Sequence, residues 1–396
     1  MNIAAIGTYL PPWGSAAARI AGDDEDVVTM AVQAGRAALS GAGAGVRHVV
    51  LVTRELPLLE GGNGAALVAG LGLPAPTTVV EQVGGGPAVL DALVAAEPGT
   101  LVVGADAGAR SGAAAALVSQ RDGVALDPVA RVLRSLPVRA RGADGVVHDY
   151  EDPRLVRERG MRPALADAGI GRKAAAAVGL PARDAAALCE GDAPRVLTTG
   201  ASAPVFALAA LAETRTIGLL LAFEQASMTA VEVSSGAMTV THVERPAQDL
   251  PRQRITPGPE IRISLPAYER AFEAKVRLAA GRCDHCGTLA LPPRYRCLGC
   301  GAEGDAELTE LPRDATVYTT TTIHTPVPGL ATPYTIVIVE LGETGVRLLA
   351  RVTGALPGNI GIGDRGEMVL RRVALRSGVP DYGYSFSPDA SQEVTR

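Results

Sequence analysis

The sequence predicts a layered α/β domain, then a metal-binding ribbon, then a small β-barrel of the OB type. Three observations support this: apolar strands alternate with helical patterns over the first part of the 396-residue chain, two Cys-x-x-Cys pairs lie ten residues apart, and only strand patterns follow them. We expect the α/β domain at 1–245, a linker at 246–265, a helix with the ribbon at 266–304, and the barrel at 305–390.

The composition excludes several classes of protein. Hydrophobic residues make up 47% of the chain, charged residues 20%, and the net charge is −5, which is typical of a soluble protein with a large core and disfavours nucleic acid as a partner. Aromatic residues reach only 3%, too few for a platform of stacked bases. The amino terminus has no basic n-region and no apolar run is long enough to span a membrane, so we expect no membrane contact and a cytoplasmic protein.

The first part of the chain reads as strands and helices in alternation. Because its strands are apolar throughout, we expect a parallel-rich sheet with both faces covered. The acidic run 23–26 precedes the first helix and is interpreted as its cap, favoured by the helix dipole. The predicted strands are Ile3–Leu10, Val46–Thr53, Thr77–Gln82, Thr100–Ala105 and Ala113–Ser119, and the predicted helices are Val27–Leu39, Asn63–Leu71 and Ala88–Ala96.

The pattern partly recurs in the middle of the chain, which indicates a degenerate internal duplication and thus two pseudo-repeats. Polar and proline-bearing residues after 244 then indicate a linker. The elements expected here are helices at Pro153–Ala168, Ala182–Cys189 and Ala201–Glu213, and strands at Arg195–Thr199, Ile217–Phe223 and Ala230–Val233.

Four cysteines form the most specific motif in the sequence, and they are Cys283, Cys286, Cys297 and Cys300. Each Cys-x-x-Cys pair places two thiolates on one tight turn, and two facing turns enclose a tetrahedral metal ion, predicted to be Zn²⁺. Two disulfides and a rubredoxin-type iron site are the alternatives. Since all four ligands are thiolates, no position stays open for water, and we expect a structural role.

The barrel is predicted from strand patterns that follow a helix at Pro266–Ala279. His324 lies near the expected barrel mouth, where it either forms a structural hydrogen bond or contacts a substrate. The predicted strands are Ala315–His324, Tyr334–Leu341, Val346–Thr353 and Arg365–Val373.

The stretch from Ala267 to Pro388 resembles the zinc-ribbon/OB-fold family that accompanies acyl-CoA enzymes. The resemblance implies a subunit that binds a thiolase-like protein and an acyl-CoA or acyl-carrier thioester as ligand. The residues that carry it are Tyr268–Phe272, Arg282–Gly287, Pro292–Arg294, His324–Pro326, Pro333–Tyr334 and Tyr384–Pro388.

The stretch from Met1 to about Glu244 resembles the thiolase superfamily, in the branch of 3-hydroxy-3-methylglutaryl-CoA synthase and ketoacyl synthase III. The resemblance implies an acyl-accepting cysteine at a helix N-terminus, helped by a histidine and by an asparagine or second histidine. It also implies a dimer. The residues that carry it are Ile6–Pro11, Glu25–Ala31, Leu101–Asp106, Gly112–Leu117 and Gly200–Ser202.

The catalytic residues of that superfamily are missing from the matching positions. Gly86 stands where the cysteine is expected, and Thr198–Ala201 replaces the segment that brings the asparagine. The strand that brings the histidine is deleted around Arg172–Ala182, and Phe223–Ala226 replaces a glycine-rich turn. With about 245 residues, the domain is also short for two complete halves.

Three other features have two interpretations each. The glycines at 84–86 form a tight turn or a phosphate loop, and the missing lysine favours the turn. Cys189 is a buried thiol or a displaced nucleophile, and its apolar neighbours favour burial. His148 and Tyr150 lie on a surface loop or supply a new acid and base.

Two classes of function remain. In the favoured one the chain is a non-catalytic subunit that handles acyl thioesters beside an active thiolase-like partner, as a homodimer or within a mixed assembly. In the alternative it is itself an acyltransferase, synthase or aldolase with unusual catalytic residues. A nucleic-acid-binding ribbon and barrel fits the carboxyl-terminal fold but conflicts with the acidic composition.

Overall fold

The computed structural model describes residues 2–40, 45–120, 123–142, 145–150, 152–191 and 194–389. The helices are α1 (Val27–Ser40), α2 (Gly64–Leu71), α3 (Gly86–Ala95), α4 (Pro153–Leu155), α5 (Arg162–Asp167), α6 (Ala182–Leu188), α7 (Ala203–Glu213) and α8 (Leu265–Lys275), with a π-helical turn at Val156–Met161 between α4 and α5.

The strands of the amino-terminal domain are β1 (Asn2–Leu10), β2 (Trp13–Ser15), β3 (Ala18–Ile20), β4 (His48–Thr53), β5 (Thr78–Val83), β6 (Thr100–Asp106), β7 (Gly112–Ser119), β8 (Val124–Val132), β9 (Arg139–Arg141), β10 (Val147–Asp149), β11 (Ala176–Val178), β12 (Gly218–Glu224), β13 (Ser227–Val233) and β14 (Thr239–Glu244). The remaining strands are β15 (Arg254–Ile255), β16 (Ala279–Arg282), β17 (Leu289–Ala290), β18 (Glu307–Glu310), β19 (Asp314–Ile323), β20 (Ala331–Thr332), β21 (Tyr334–Leu341), β22 (Arg347–Arg351), β23 (Arg365–Arg376) and β24 (Val379–Pro388).

One ten-stranded sheet organises the amino-terminal domain. Its order is β11-β12-β13-β8-β1-β7-β6-β4-β5, with β14 parallel to β1. The sheet is mixed, so the predicted parallel-rich sheet is wrong: β6 and β7 are antiparallel because the residues between Asp106 and Gly112 are too few for a crossover helix.

Three apolar clusters show that helices and strands alternate in layers. In the first, α1 and α2 pack on the β1-β7-β6-β4 part of the sheet. In the second, α3 and α7 lie between that part and β12-β13, and in the third, α5 and the residues around α6 cover the far side of β12-β13. The predicted layered α/β domain, with both faces of its strands covered, is therefore confirmed.

Close backbone packing in these layers depends on a glycine. A Cβ atom at Gly7 would lie 2.1 Å from Ala34 O and 2.2 Å from Ala38 N. Only a residue without a side chain lets α1 lie this close to β1, so the Ile6–Pro11 motif has a packing function.

Two sequence-based elements differ from the structure. The expected strand at Arg195–Thr199 is absent from its described residues, and Thr198 Oγ1 instead lies within hydrogen-bond distance of Ser202 Oγ, at 2.9 Å. The expected helix at Pro266–Ala279 ends at Lys275, since Leu278 takes a positive φ of 55° and turns the chain into β16. The sequence analysis also missed β14 and β24.

The carboxyl-terminal domain has the predicted ribbon and OB barrel. The ribbon sheet has the order β17-β16-β18, and the barrel sheet has the order β22-β21-β19-β23-β24. A parallel bridge from Val352 to Phe386 joins β22 to β24 and closes the barrel, which is the five-stranded Greek-key arrangement expected of an OB fold.

The barrel packs directly on the outer helices of the first domain, within one apolar cluster. Polar groups cross the same interface. Tyr382 OH donates to Asp26 Oδ2 at 2.9 Å, and Arg371 from β23 lies 3.4 Å from Glu25 Oε1 and 3.1 Å from Tyr9 OH. The Arg371 and Glu25 side chains are only 3% and 1% exposed, so the two domains share a buried ion pair.

The acidic run before α1 thus makes two kinds of contact. Asp26 Oδ1 accepts from Val28 N and Thr29 N, both at 3.0 Å, which confirms the predicted cap. Glu25 instead reaches the barrel. None of the described helices is long and apolar enough to cross a membrane.

Candidate functional site: a cysteine ribbon and two occupied helix termini

The four ribbon cysteines lie together at the tips of two matching turns. Gly287 N donates to Cys283 O at 2.8 Å, and Gly301 N donates to Cys297 O at 3.1 Å. Gly287 and Gly301 have φ angles of 72° and 76°, which other residues rarely adopt. The sequence places a glycine after each pair because each turn reverses the chain at that point.

The sulfur positions fit a tetrahedral metal ion. All four Sγ atoms lie within 4.8 Å of one another. Cys283 Sγ is 3.7 Å from Cys300 Sγ, and Cys286 Sγ is 3.5 Å from Cys297 Sγ. Zinc–sulfur bonds of about 2.3 Å require edges of about 3.8 Å in a tetrahedron, so the donor set and its spacing fit zinc.

Local hydrogen bonds also favour a thiolate at Cys286. Its Sγ lies 3.1 Å from Thr288 Oγ1, and hydrogen bonds with the Thr288 side chain and backbone lower the pKa of Cys286 to about 6. The ribbon therefore offers a metal at least one ligand that ionises easily.

Gly86 opens α3, in the helix layer between the two parts of the sheet. A Cβ atom there would lie 3.3 Å from Pro204 Cγ and 3.4 Å from both Ala222 Cβ and Gly200 O. The position that the thiolase resemblance assigns to the nucleophile is therefore enclosed by α7, β12 and the turn before α7.

The N-terminus of α3 is occupied by a side chain from β12. Gly85 N donates to Glu224 Oε2 at 2.8 Å, and Arg54 Nε donates to Glu224 Oε1 at 2.5 Å. Arg54 follows β4, so strand ends from both parts of the sheet meet here. A negative charge is favourable at this end of a helix, and Glu224 already supplies one.

The turn before α7 is occupied in the same way by a strand-end carboxylate. Asp106 Oδ1 accepts from Ala201 N at 2.7 Å, and Asp106 Oδ2 accepts from Ser202 N at 2.9 Å and from Ser202 Oγ at 2.5 Å. A Cβ atom at Gly200 would lie 2.0 Å from Asp106 Oδ1, so this carboxylate requires the glycine. Burial raises the pKa of Asp106, while the hydrogen bonds from Ser202 and Ala201 oppose the shift.

The structure does not bring the other candidates to this centre. His148 and Tyr150 belong to the exposed β9-β10 hairpin and the residue after it, and Tyr150 is 74% exposed. His324 is exposed just beyond β19. Cys189 is buried at the end of α6, and burial raises the pKa of its thiol, as its apolar neighbours predict.

Sequence reasoning missed Arg54 and the role of Glu224. The replacement of a glycine-rich turn by Phe223–Ala226 signalled that this position had changed. It could not show that the Glu224 carboxylate folds back onto a helix about 140 residues earlier in the chain.

Two sequence families match the carboxyl-terminal third. The family described as "ChsH2, rubredoxin-like zinc ribbon domain" matches residues 273–305, and "ChsH2, C-terminal OB-fold domain" matches residues 308–371. The zinc-ribbon assignment and the OB assignment of the sequence analysis are thereby confirmed.

Two curated proteins are similar over parts of the chain. A DUF35 domain-containing scaffold protein of Methanothermobacter thermautotrophicus is 32% identical over 123 residues, which are 30% of this chain and 92% of that protein. A probable enoyl-CoA hydratase alpha subunit of Thermomonospora curvata is 38% identical over 95 residues, 23% of this chain and 29% of that protein.

Solved structures are similar to each domain. β-Ketoacyl-acyl carrier protein synthase III of Thermus thermophilus covers 60% of this chain and 99% of its own, at 20% identity and a TM-score of 0.45. The structure titled "Ltp2-ChsH2(DUF35) aldolase" covers 33% of this chain and 98% of its own, at 30% identity and a TM-score of 0.26.

The fold and the four-cysteine site define a layered α/β protein that carries a zinc ribbon and an OB barrel. Through its carboxyl-terminal third, the chain belongs to the family of DUF35 domain-containing proteins.

Proposed function

We propose that this chain is a non-catalytic scaffold or accessory subunit that handles acyl thioesters beside an active thiolase-like enzyme. The observation that carries the proposal is the ion pair of Glu224 and Arg54 on the N-terminus of α3. In the thiolase superfamily, which the first domain resembles, this terminus activates a cysteine. Here the position has no side chain, and the terminus is already bonded.

The related scaffold protein supports the same role. That protein matches almost along its whole length, and its name describes a scaffold. In the matching third of this chain the four ribbon thiols lie within 4.8 Å of one another, a spacing that fits a structural metal. Bond making therefore falls to the partner, and this chain contributes binding surface and geometry.

We infer one structural zinc ion per chain, held by the four ribbon cysteines. When bound, it would fix the two turns to each other and so contribute to the folding of the ribbon. Thiolate ligands stay reduced in the cytoplasm, so we place the protein there.

The free edge of the large sheet supports self-association. Among the described residues, β5 pairs only with β4, and its Val80 and Val83 are 56% and 69% exposed. Antiparallel pairing of this edge with a second copy, or with a thiolase-like chain, would satisfy its backbone groups and bring partner residues against these side chains. We propose a dimer built on β5.

Co-purification tests the proposal. The chain is co-expressed with candidate thiolase-like proteins, and the complexes are isolated by size-exclusion chromatography with light scattering. We expect a stable complex and acyl-CoA turnover that requires the partner's cysteine. Full partner activity without any complex, or turnover by this chain alone, would contradict the scaffold role. Condensation or cleavage lost in Tyr150→Phe would instead support the enzymatic alternative.

A further inference from the structure

A groove of about 250 Å³ separates α8 from β24. It exists because α8 touches β24 at only a few positions, so the helix face that holds Tyr268 and Phe272 is covered only in part. These residues are four apart and therefore lie on one side of the helix, where both line the groove. The floor of the groove thus offers aromatic and apolar surface.

The rim of the groove is positively charged. Three cationic side chains line it, Arg262, Lys275 and Arg376, against the single carboxylate of Asp381. Asp381 is shared: Lys275 Nζ lies 2.5 Å from Oδ1 and Arg376 Nε lies 3.0 Å from Oδ2. One negative charge therefore serves two cations, and Arg262 forms no ion pair within the described part of the chain.

The groove is locally positive although the net charge of the whole chain is −5. The Asp381 carboxylate is nearly buried and holds Lys275 and Arg376 in place, which removes part of the entropy cost of ordering them around a ligand. A preorganised pair of cations beside an aromatic face fits a ligand that carries phosphate on one side and a planar ring on the other.

We propose that this groove binds the nucleoside diphosphate part of a ligand, with its base on Tyr268 and its phosphates between Arg262 and Arg376. The volume lies just below the range of about 300–1,000 Å³ that is usual for small-molecule pockets, so this open groove would enclose only part of such a ligand. Two sources share this chemistry, a free adenine nucleotide and the nucleotide end of coenzyme A. The site goes beyond the scaffold role and does not depend on any partner.

Isothermal titration calorimetry on the full-length protein tests the site with ADP, coenzyme A and inorganic phosphate as separate ligands. We expect saturable binding of ADP and of coenzyme A, and much weaker binding of phosphate. Arg262→Ala should weaken ADP binding about tenfold, since it removes one charge-assisted contact from an exposed position where folding is not at risk. Tyr268→Leu, which keeps apolar volume but removes the ring, should weaken it by roughly tenfold as well.

Arg270→Ala is the matched control, because Arg270 lies on α8 but outside the groove lining. Its affinity should equal that of the wild type. Tighter binding of coenzyme A than of ADP would identify the coenzyme as the source, tighter binding of ADP would identify a free nucleotide, and equal binding would show that the shared nucleotide alone is recognised.

Three results would overturn the site. They are no saturable binding of either ligand, phosphate binding as tight as ADP binding, and affinity unchanged in both Arg262→Ala and Tyr268→Leu. Because these titrations use the isolated chain, their failure would leave the proposed partnership intact, and loss of the partner complex would leave the groove intact.

Discussion

Glu224 Oε2 accepts a hydrogen bond of 2.8 Å from Gly85 N, so a carboxylate of β12 caps the helix that begins at Gly86. Asp106 does the same for the turn before α7. The two helices of the central layer therefore both begin at a carboxyl group that the chain itself supplies. An arrangement that leaves one such terminus open could bind a thiolate or an oxyanion, whereas this one is satisfied internally.

Removal of the Glu224 carboxylate should destabilise the fold. Glu224→Ala leaves Gly85 N and Arg54 without their partner in a largely buried position, and we expect a loss of about 1–3 kcal/mol in the free energy of unfolding. Urea denaturation measures it. Glu340→Ala, which removes an exposed pair with Arg347, is the control and should cost less than about 1 kcal/mol. Equal losses in the two variants would refute the capping role.

The isolated chain should form no acyl-enzyme. Gly86 has no nucleophile, and burial raises the pKa of Cys189, which disfavours its thiolate. Intact mass spectrometry after incubation with acetyl-CoA and longer acyl-CoAs should show the unmodified mass. An adduct that is present in the wild type and lost in Cys189→Ala would show that the chain has its own nucleophile.

Zinc content should depend on the ribbon cysteines alone. We expect elemental analysis to give one zinc per chain for the wild type and for Cys189→Ser, because Cys189 is buried in the other domain. Cys283→Ser should lower the content and unfold the ribbon locally, since folding and metal binding are coupled. Stoichiometric iron, or no metal, in the purified wild type would contradict the zinc assignment.

Arg371→Met should be strongly destabilising, by about 3–5 kcal/mol, because it leaves Glu25 buried and unpaired. The double variant Arg371→Met with Glu25→Gln should recover part of this loss in urea denaturation. If the double variant is as unstable as the single one, the ion pair is not the cause.

The pKa of Glu25 determines how the stability of the Arg371→Met variant changes with pH. Burial raises the pKa of Glu25, and the charge of Arg371 opposes the shift. The folded state therefore binds the proton of the Glu25 carboxyl more tightly than the unfolded chain does. The stability that this protonation contributes is complete below about pH 4.3 and is lost as the pH rises through the raised pKa of Glu25. Without Arg371, the free energy of unfolding should fall more between about pH 5 and pH 8 than it does in the wild type, as urea denaturation at each pH would measure.

The β5 edge should control self-association. Val80→Asp and Val83→Asp each place a charge on the proposed pairing surface, and light scattering should then give a monomer where the wild type gives a dimer. Leu349→Asp, at an exposed position on the barrel, should leave the dimer unchanged. A wild-type monomer, both alone and with the co-expressed partner, would refute the association.

Local patterns in the sequence were sufficient to predict some of these features. The ribbon depends on spacings of three residues, and the α1 cap depends on Asp26 and the residues directly after it, so both were predictable. Glu25 pairs with Arg371, which lies hundreds of residues later in the chain, and Glu224 bonds to Gly85, about 140 residues earlier. No local pattern in the sequence predicts contacts over such separations. β14 was missed because it is short and partly polar, and the tertiary pairing with β1 makes it a strand.

The single apolar core that α1 and α2 share with the barrel has a consequence for how the gene can change. Gly70 marks how close the two parts are: a Cβ atom there would lie 2.9 Å from Leu370 Cδ2 on β23. A gene split between the layered domain and the ribbon would give two products, each with an uncovered apolar surface prone to aggregation. The two segments therefore depend on each other to cover apolar surface that neither could cover alone.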